Sequence, residues 1–355
     1  MLIEDLLKEL VEKKGSDLHI SNALPPVARI DGKLVRLDYD PLTPEGVEAL
    51  LFPMMSNEQR RRLEQEWELD FSYGVEGIGR FRVNFYKDKG CYAAAFRTIA
   101  TKAPQLEELG IPPIVTTIAD KPRGLVLVTG PTGSGKSTTL AAMVDYINRT
   151  RAEHILTIED PVEFVHTSKV SIIHQRELGM DTRSFANALK SALREDPDII
   201  LVGEMRDHET IALALTAAET GHLVFGTLHT SSTSQTIDRI IDVFPEGQQQ
   251  QIRVQLANSL VAVFAQTLLP KRQPDGSRKG RVMAQEIMVV TPAIANLIRE
   301  SKAAQIYSTI QTSSGAGMQT LESSLAELFK KGLVTIEDAL SKSSKPNELK
   351  RLIQG

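Results

Sequence analysis

The sequence predicts an α/β protein in which a mostly parallel sheet is preceded by a smaller α+β domain. Three observations carry that prediction. Four short apolar runs, at 125–129, 155–158, 199–202 and 223–227, alternate with helical stretches, the pattern of buried parallel strands joined by crossover helices. Residues 1–100 instead combine an amphipathic helix pattern with short alternating strands. Between the two regions, Pro104, Pro112, Pro113 and Pro122 space out the stretch 101–123, as in a semi-rigid connection. The expected division is 1–100, then the connection 101–123, then 124–355.

Element by element, Leu2, Ile3, Leu6, Leu7 and Leu10 share one face of an N-terminal helix. Its other face is not strongly basic, so the helix is expected to face a core and not a membrane surface. Asp31-Gly32, flanked by the runs 27–30 and 33–37, is a two-residue hairpin signal. The alternating stretch 79–86 displays Arg80 and Arg82 on a single face. Beyond Pro245 the chain reads as mostly helical to its end, starting with four exposed glutamines at 248–251 and including a candidate apolar helix at 256–269.

Composition narrows the function class. At 355 residues, with 41% hydrophobic and 24% charged residues, the chain suits two ordinary globular domains. A net charge of −4 and 5% aromatic content argue against a nucleic-acid binder. Cys91 is the one cysteine, which rules out an internal disulfide or a four-cysteine zinc site and points to a reducing cytoplasm. The start MLIEDLLKEL is acidic where a secretory signal is basic. No apolar run reaches membrane-spanning length, because Asn258, Ser259, Gln266 and Thr267 interrupt the most apolar candidate. Membrane contact is therefore expected to be peripheral.

The chemistry begins where the first apolar run ends. Gly130, Pro131, Thr132, Gly133, Ser134, Gly135, Lys136 and Ser137, followed by Thr138, fit the phosphate-loop pattern without a mismatch. A strand enters and a helix leaves, as that loop requires. The glycines let successive N–H groups and the helix N-terminus point at phosphate oxygens. Lys136 supplies a compact charge to the β- and γ-phosphates of ATP, and the Ser137 hydroxyl reaches Mg²⁺.

Hydrolysis needs a further group. The run 199–202 ends in Gly203-Glu204, and parallel strands bring such ends to the carboxyl edge beside the loop. Glu204 is placed to polarise an attacking water. Gly203 stands where a strand-terminal aspartate is usual, so Ser137 is the one residue assigned to the metal. Glu159, Asp160 and Glu163 gather at another strand end, with Pro161 fixing the turn. His222 and His229 bracket the run 223–227. Separated by roughly 23 Å of strand and on opposite faces, they cannot share a metal. The basic residues Lys271, Arg272, Arg278, Lys279 and Arg281 around Pro274-Asp-Gly276 read as a solvated loop.

Together these segments resemble the secretion-superfamily ATPases, most closely the twitching-motility PilT family of pilus retraction motors, over nearly the whole chain. GPTGSGKS resembles the family's Walker A segment and TIEDPVEF its Asp box. LREDPDIILVGEMRD is similar to its atypical Walker B, which also lacks the strand-terminal aspartate, and TGHLVFGTLHT is similar to its His box. GRFRVN resembles the arginine-bearing strand of its PAS-like N-terminal domain.

The resemblance implies a RecA-like core with a helical C-terminal part. It gives catalytic roles to Glu204, Glu163, His222 and His229, and brings Arg80 and Arg82 to the transferring phosphoryl group. Glu159 and Asp160 are assigned to the nucleotide site. It also implies a homohexameric ring acting on an inner-membrane platform protein and, indirectly, on pilin, without zinc or nucleic acid. AIANLIRE resembles a retraction motif in which Ala295 replaces the family's arginine, and its stripe of Ile294, Leu297 and Ile298 is expected to transmit movement without touching nucleotide. Alternatives are the accessory retraction paralogue, a secretion-type ATPase, a nucleic-acid motor and a nucleotide-gated switch. The last two conflict with the charge balance and with Glu204, respectively.

Overall fold

The computed structural model describes residues 2–100 and 102–354. Thr101, the first residue of the proline-spaced connection, lies outside them, as do Met1 and Gly355. The chain divides into two units, Met1–Lys102 with Pro161–Val165, and Ala103–Asp160 with His166–Gly355. The linear pattern gives no hint that Pro161–Val165 belongs with the first unit. Phe164 bridges Ala100 there, and the Val165 N–H donates to the Ala100 carbonyl at 3.2 Å.

The first unit contains α1 (Ile3–Glu12), β1 (Asp17–Ile20), β2 (Val27–Ile30), β3 (Lys33–Arg36), α2 (Pro44–Leu51), α3 (Asn57–Glu66), β4 (Glu68–Val75), β5 (Gly79–Asp88) and β6 (Cys91–Ile99). Its sheet runs β3-β2-β1-β6-β5-β4, with every neighbouring pair antiparallel. Helix α1 buries Ile3, Leu6, Leu7 and Leu10 in the same core as Phe81, Val83 and Phe85 of β5. It is a core-facing helix, although Leu2 lies ahead of it and stays exposed. Asp31 and Gly32 both take positive φ, 48° and 79°, as a two-residue turn between right-twisted strands demands.

The second unit contains α4 (Ile114–Ala119), β7 (Gly124–Thr129), α5 (Lys136–Thr150), β8 (His154–Glu159), β9 (Ile172–Glu177), α6 (Phe185–Ala192), β10 (Ile199–Val202), α7 (His208–Glu219), β11 (Leu223–Leu228), α8 (Thr233–Asp242), α9 (Glu246–Ser259), β12 (Leu260–Arg272), β13 (Arg278–Val289), α10 (Pro292–Arg299), α11 (Ile306–Gln311), α12 (Leu321–Lys330), α13 (Ile336–Lys342) and α14 (Pro346–Gln354). The sheet order is β13-β12-β7-β11-β10-β8-β9. All neighbours are parallel except β12 and β13. Alternate residues of β7 serve opposite faces: Leu125 and Leu127 pack with α6 to α10, and Val126 and Val128 with α4 and α5. Cover on both faces explains why these strands read as unbroken apolar runs.

Two expectations fail beyond Pro245. The stretch 256–269 is not one helix, because α9 ends at Ser259 and the chain continues as the 13-residue strand β12. Val261, Val263 and Phe264 favour a strand, and β7 offers an unpaired edge that satisfies the β12 backbone, so tertiary pairing overrides the helical pattern. The basic residues around Gly276 are not in a loop either. They occupy the exposed ends of β12 and β13 around a hairpin whose Gln273 N–H donates to the Ser277 carbonyl at 2.8 Å. The helical reading holds from Pro292 onward. There Leu321, Leu325, Ala339 and Leu349 of α12, α13 and α14 pack on Leu269 and Ala284.

The AIANLIRE stripe lies mostly in the core. Ile294, Ala295 and Ile298 of α10 are all buried in the main core, and Leu297 packs against it partly exposed. Polar replacement of the stripe therefore attacks the fold before it touches any movement.

Candidate functional site

The carboxyl ends of β7, β11, β10 and β8 lie side by side, because Leu228 pairs with Thr129, and Val202 with both Gly226 and Ile158. Everything that follows these ends meets at one edge of the sheet. The phosphate loop leaves β7 there, with the Gly130 N–H donating to the Leu228 carbonyl at 3.3 Å.

Gly130 (φ 144°) lies so close to β12 that an added Cβ would overlap the Gln266 carbonyl oxygen and Ser134 Oγ. Gly135 (φ 88°) precedes the first turn of α5 in a left-handed conformation suited to glycine. Lys136 folds back over the loop, its Nζ donating to the carbonyls of Gly130 at 2.8 Å and Pro131 at 3.2 Å. Ser137 and Thr138 follow in the first turn of α5, half-buried. Thr129 Oγ1 and Ser134 Oγ are buried beside the loop without a hydrogen-bond partner.

Residues 203–205 are pinned between two strands. The Gly203 N–H donates to the Ile158 carbonyl at 2.7 Å, the Met205 N–H to the Thr227 carbonyl at 3.1 Å, and Thr227 Oγ1 to the Gly203 carbonyl. A Cβ on Gly203 would come within 3.1 Å of Glu159 Cα and the Ile158 carbonyl, which is a steric reason for glycine where aspartate is usual. Glu204 follows, half-buried, and its Oε1 accepts from Arg206 Nε at 2.5 Å and His229 Nε2 at 3.1 Å. Burial by itself pushes the Glu204 carboxyl up. The Arg206 hydrogen bond and charge, with a smaller contribution from His229, outweigh it and hold the group below the ordinary range.

Glu159 ends β8 at the same edge, its Oε1 accepting from Thr157 Oγ1 at 2.6 Å and Gln175 Nε2 at 3.3 Å. Asp160 is exposed next to it and adds to the field that favours charged Arg206. The structure thus gathers the phosphate loop, Glu204, His229, Glu159 and Asp160. It does not bring His222 to them. That residue precedes β11 at the amino edge, where its carbonyl accepts the Gly124 N–H at 3.0 Å and its Nδ1 lies 2.9 Å from the Ala217 carbonyl. Arg80, Arg82 and Glu163 belong to the first unit. There Arg80 Nη2 donates to Ser72 Oγ at 2.6 Å, and Arg82 is exposed on the same face of β5.

Among the described residues no group of three or more His, Cys, Asp or Glu side chains could hold a metal alone. The donor set fits Mg²⁺ carried largely by phosphate oxygens and water, with a hydroxyl such as that of Ser137 completing the shell. Two contributors escaped the sequence reading. Arg206 was signalled by a cation two residues after Glu204. Gln266 was signalled by an amide inside an apolar run, which read only as an interruption.

The family described as Type II/IV secretion system protein matches residues 1–341. The type IV pilus retraction ATPase PilT of Pseudomonas aeruginosa is 55% identical over 98% of this chain and 99% of its own length. The type IV pilus ATPase PilU of the same organism is 40% identical over 100% of this chain and 92% of its own. A crystal structure of the pilus retraction motor PilT with bound ADP superposes with a TM-score of 0.91 at 49% identity, covering 99% of each chain. Sequence, fold and loop geometry agree that the chain belongs to the type II/IV secretion ATPase family, in its branch of pilus retraction ATPases.

Proposed function

We propose that this chain hydrolyses ATP to power retraction of type IV pili, and hence twitching motility. The observation that carries this reading is 55% identity to a retraction ATPase along nearly the full length of both chains. The lower identity to PilU, 40%, favours the main retraction motor over the accessory role.

In this mechanism the loop N–H groups of 130–137 and Lys136 cradle the β- and γ-phosphates, and Ser137 holds Mg²⁺ against them. When bound, the cation neutralises charge developing on the phosphate oxygens. Lys136 must turn from the Gly130 and Pro131 carbonyls to the phosphate oxygens, which compete with them for its ammonium group. Glu204 accepts hydrogen from the attacking water. His229, donating to the same Glu204 oxygen as Arg206, fixes the direction of the carboxylate. Glu159 and Asp160 order the rim of the pocket, with Glu163 and His222 assigned to the same machinery by resemblance. Arg80 and Arg82 act as arginine fingers on the transferring phosphoryl group, within a homohexamer. The ring works at the inner membrane through a platform protein, with pilin removed indirectly; no helix among the described residues is long and apolar enough to cross a membrane.

The test uses a deletion strain carrying variants. Complementation by the wild-type gene restores twitching, whereas Lys136→Ala and Glu204→Gln leave cells hyperpiliated and non-motile. In purified protein Lys136→Ala loses ATP binding, and Glu204→Gln keeps binding while slowing turnover about 10²–10⁴-fold. Normal pilus length and twitching in the deletion strain would defeat the retraction reading.

A further inference from the structure

The apolar strand β12 carries a polar residue in its middle. Gln266 is 3% exposed, and it follows Ala265, which pairs with Thr129 at the mouth of the phosphate loop. Its Nε2 donates to the Ser134 carbonyl inside the loop at 2.9 Å. Its Oε1 accepts from Thr139 Oγ1 of α5 at 3.0 Å and from Gln285 Nε2 of β13 at 3.2 Å. One amide therefore touches the loop, the helix that the loop starts and the next strand. Gln285, directly opposite in the ladder and also 3% exposed, continues outward. Its N–H donates to Ser324 Oγ of α12 at 3.1 Å, and its carbonyl accepts from Gln319 Nε2 at 3.0 Å. On α12, Glu322 is wholly buried and accepts from Tyr307 of α11, Ser343 and the Lys345 N–H, each at 3.0 Å.

Buried amides are tolerated only when their groups are satisfied, and each lost partner leaves another group unsatisfied. This chain of bonds accordingly has few alternative arrangements. Apolar side chains would fill the same space between β7, β12 and β13 without that constraint, so its presence in an otherwise apolar layer needs a reason. The Ser134 carbonyl lies in the loop segment that must shape itself around phosphate.

We propose that Gln266 is a positioning residue that holds the phosphate loop in its binding shape and, through Gln285 and Ser324, ties nucleotide occupancy to the C-terminal helices α12, α13 and α14. The inference rests on residues 130–137 being the nucleotide site. It supplies a route from that site to the helical end of the chain that needs no contact between helix and nucleotide. When bound phosphate moves the Ser134 peptide, the Gln266 amide follows, and Gln285 carries the shift to the first turns of α12.

The test measures ADP affinity and hydrogen–deuterium exchange on the full-length protein, with thermal melts to confirm folding. Gln266→Leu weakens ADP binding by about tenfold or more, the scale of one lost buried hydrogen bond with its partner stranded. Gln266→Glu supplies a second readout. Its neutral acid donates to the Ser134 carbonyl as the amide does, and its carboxylate cannot, so ADP affinity recovers relative to wild type as pH is lowered. A merely structural defect would not titrate in this way. Gln285→Leu, or the milder Ser324→Ala, keeps ADP affinity within a few-fold but abolishes the ADP-dependent change in exchange at 319–330. Lys136→Ala separates the two claims: if it binds ADP normally, the site assignment has failed. If it loses ADP while folded Gln266→Leu binds as wild type, or if Ser324→Ala keeps the full exchange response, the relay is overturned.

Discussion

Replacing Arg206 by alanine isolates one charge on the carboxylate assigned to water activation. In the native arrangement Arg206 Nε lies 2.5 Å from Glu204 Oε1, and His229 Nε2 lies 3.1 Å from the same atom. Two unit charges with centres about 4 Å apart attract by about 1 kcal/mol in water and about 4 kcal/mol at an effective dielectric constant of 20. The Arg206 side chain is 73% exposed, so the lower figure applies. In Arg206→Ala the upward push of burial on Glu204 is opposed by His229 and no longer by the guanidinium. The acid limb of ATP turnover should therefore move to higher pH. The same sign governs stability. A depressed carboxyl contributes above its unfolded value of about 4.3 and loses that contribution as pH falls through the folded value. The variant's small deficit at pH 7 should thus vanish in acid. The assay is kcat/KM for ATP across pH at low and high salt, with high salt moving the wild-type limb toward the variant's. An acid limb that stays in place in folded Arg206→Ala would show that Glu204 is not the group whose ionisation limits turnover.

Three other outcomes are expected. Arg80→Ala and Arg82→Ala, if these residues are arginine fingers, lower kcat by up to about 10³–10⁵ with little change in nucleotide affinity, and a shared loss of affinity in binding titrations would contradict that role. Gly130→Ala places a Cβ against the Gln266 carbonyl at φ 144°, so the folded protein should lose ADP binding; retained affinity would mean that the loop has more room than the geometry allows. Ile294→Ser introduces a hydroxyl and a cavity at a wholly buried position and should cost about 3 kcal/mol or more in urea melts. A cost near zero would return α10 to the list of surfaces free to transmit movement.

Local chemistry was legible wherever a short segment had to satisfy backbone geometry by itself. The phosphate loop is such a segment, since glycine at Gly130 and Gly135 is demanded by close approach and left-handed φ. The four buried strands are another, because a strand covered on both faces leaves an unbroken apolar run. β9 escaped notice because it is an edge strand in which His174, Gln175, Arg176 and Glu177 follow just two apolar residues, and no run of apolar residues marks it. β12 read as helix because an apolar stretch has no intrinsic period until a neighbour supplies hydrogen bonds.

By itself, then, the sequence determined the phosphate loop, the parallel strands and the acidic strand ends, since each is encoded in residues adjacent along the chain. Only the tertiary structure decided which of these act together. Parallel register brings His229 and Glu204 to one edge and leaves His222 at the other, although both histidines flank the same strand. It recruits Arg206 to the carboxylate, and it joins Ser134 to Gln266 across a separation of 132 residues. Such partners are chosen by strand order and side-chain direction, and neither is written in spacing along the chain.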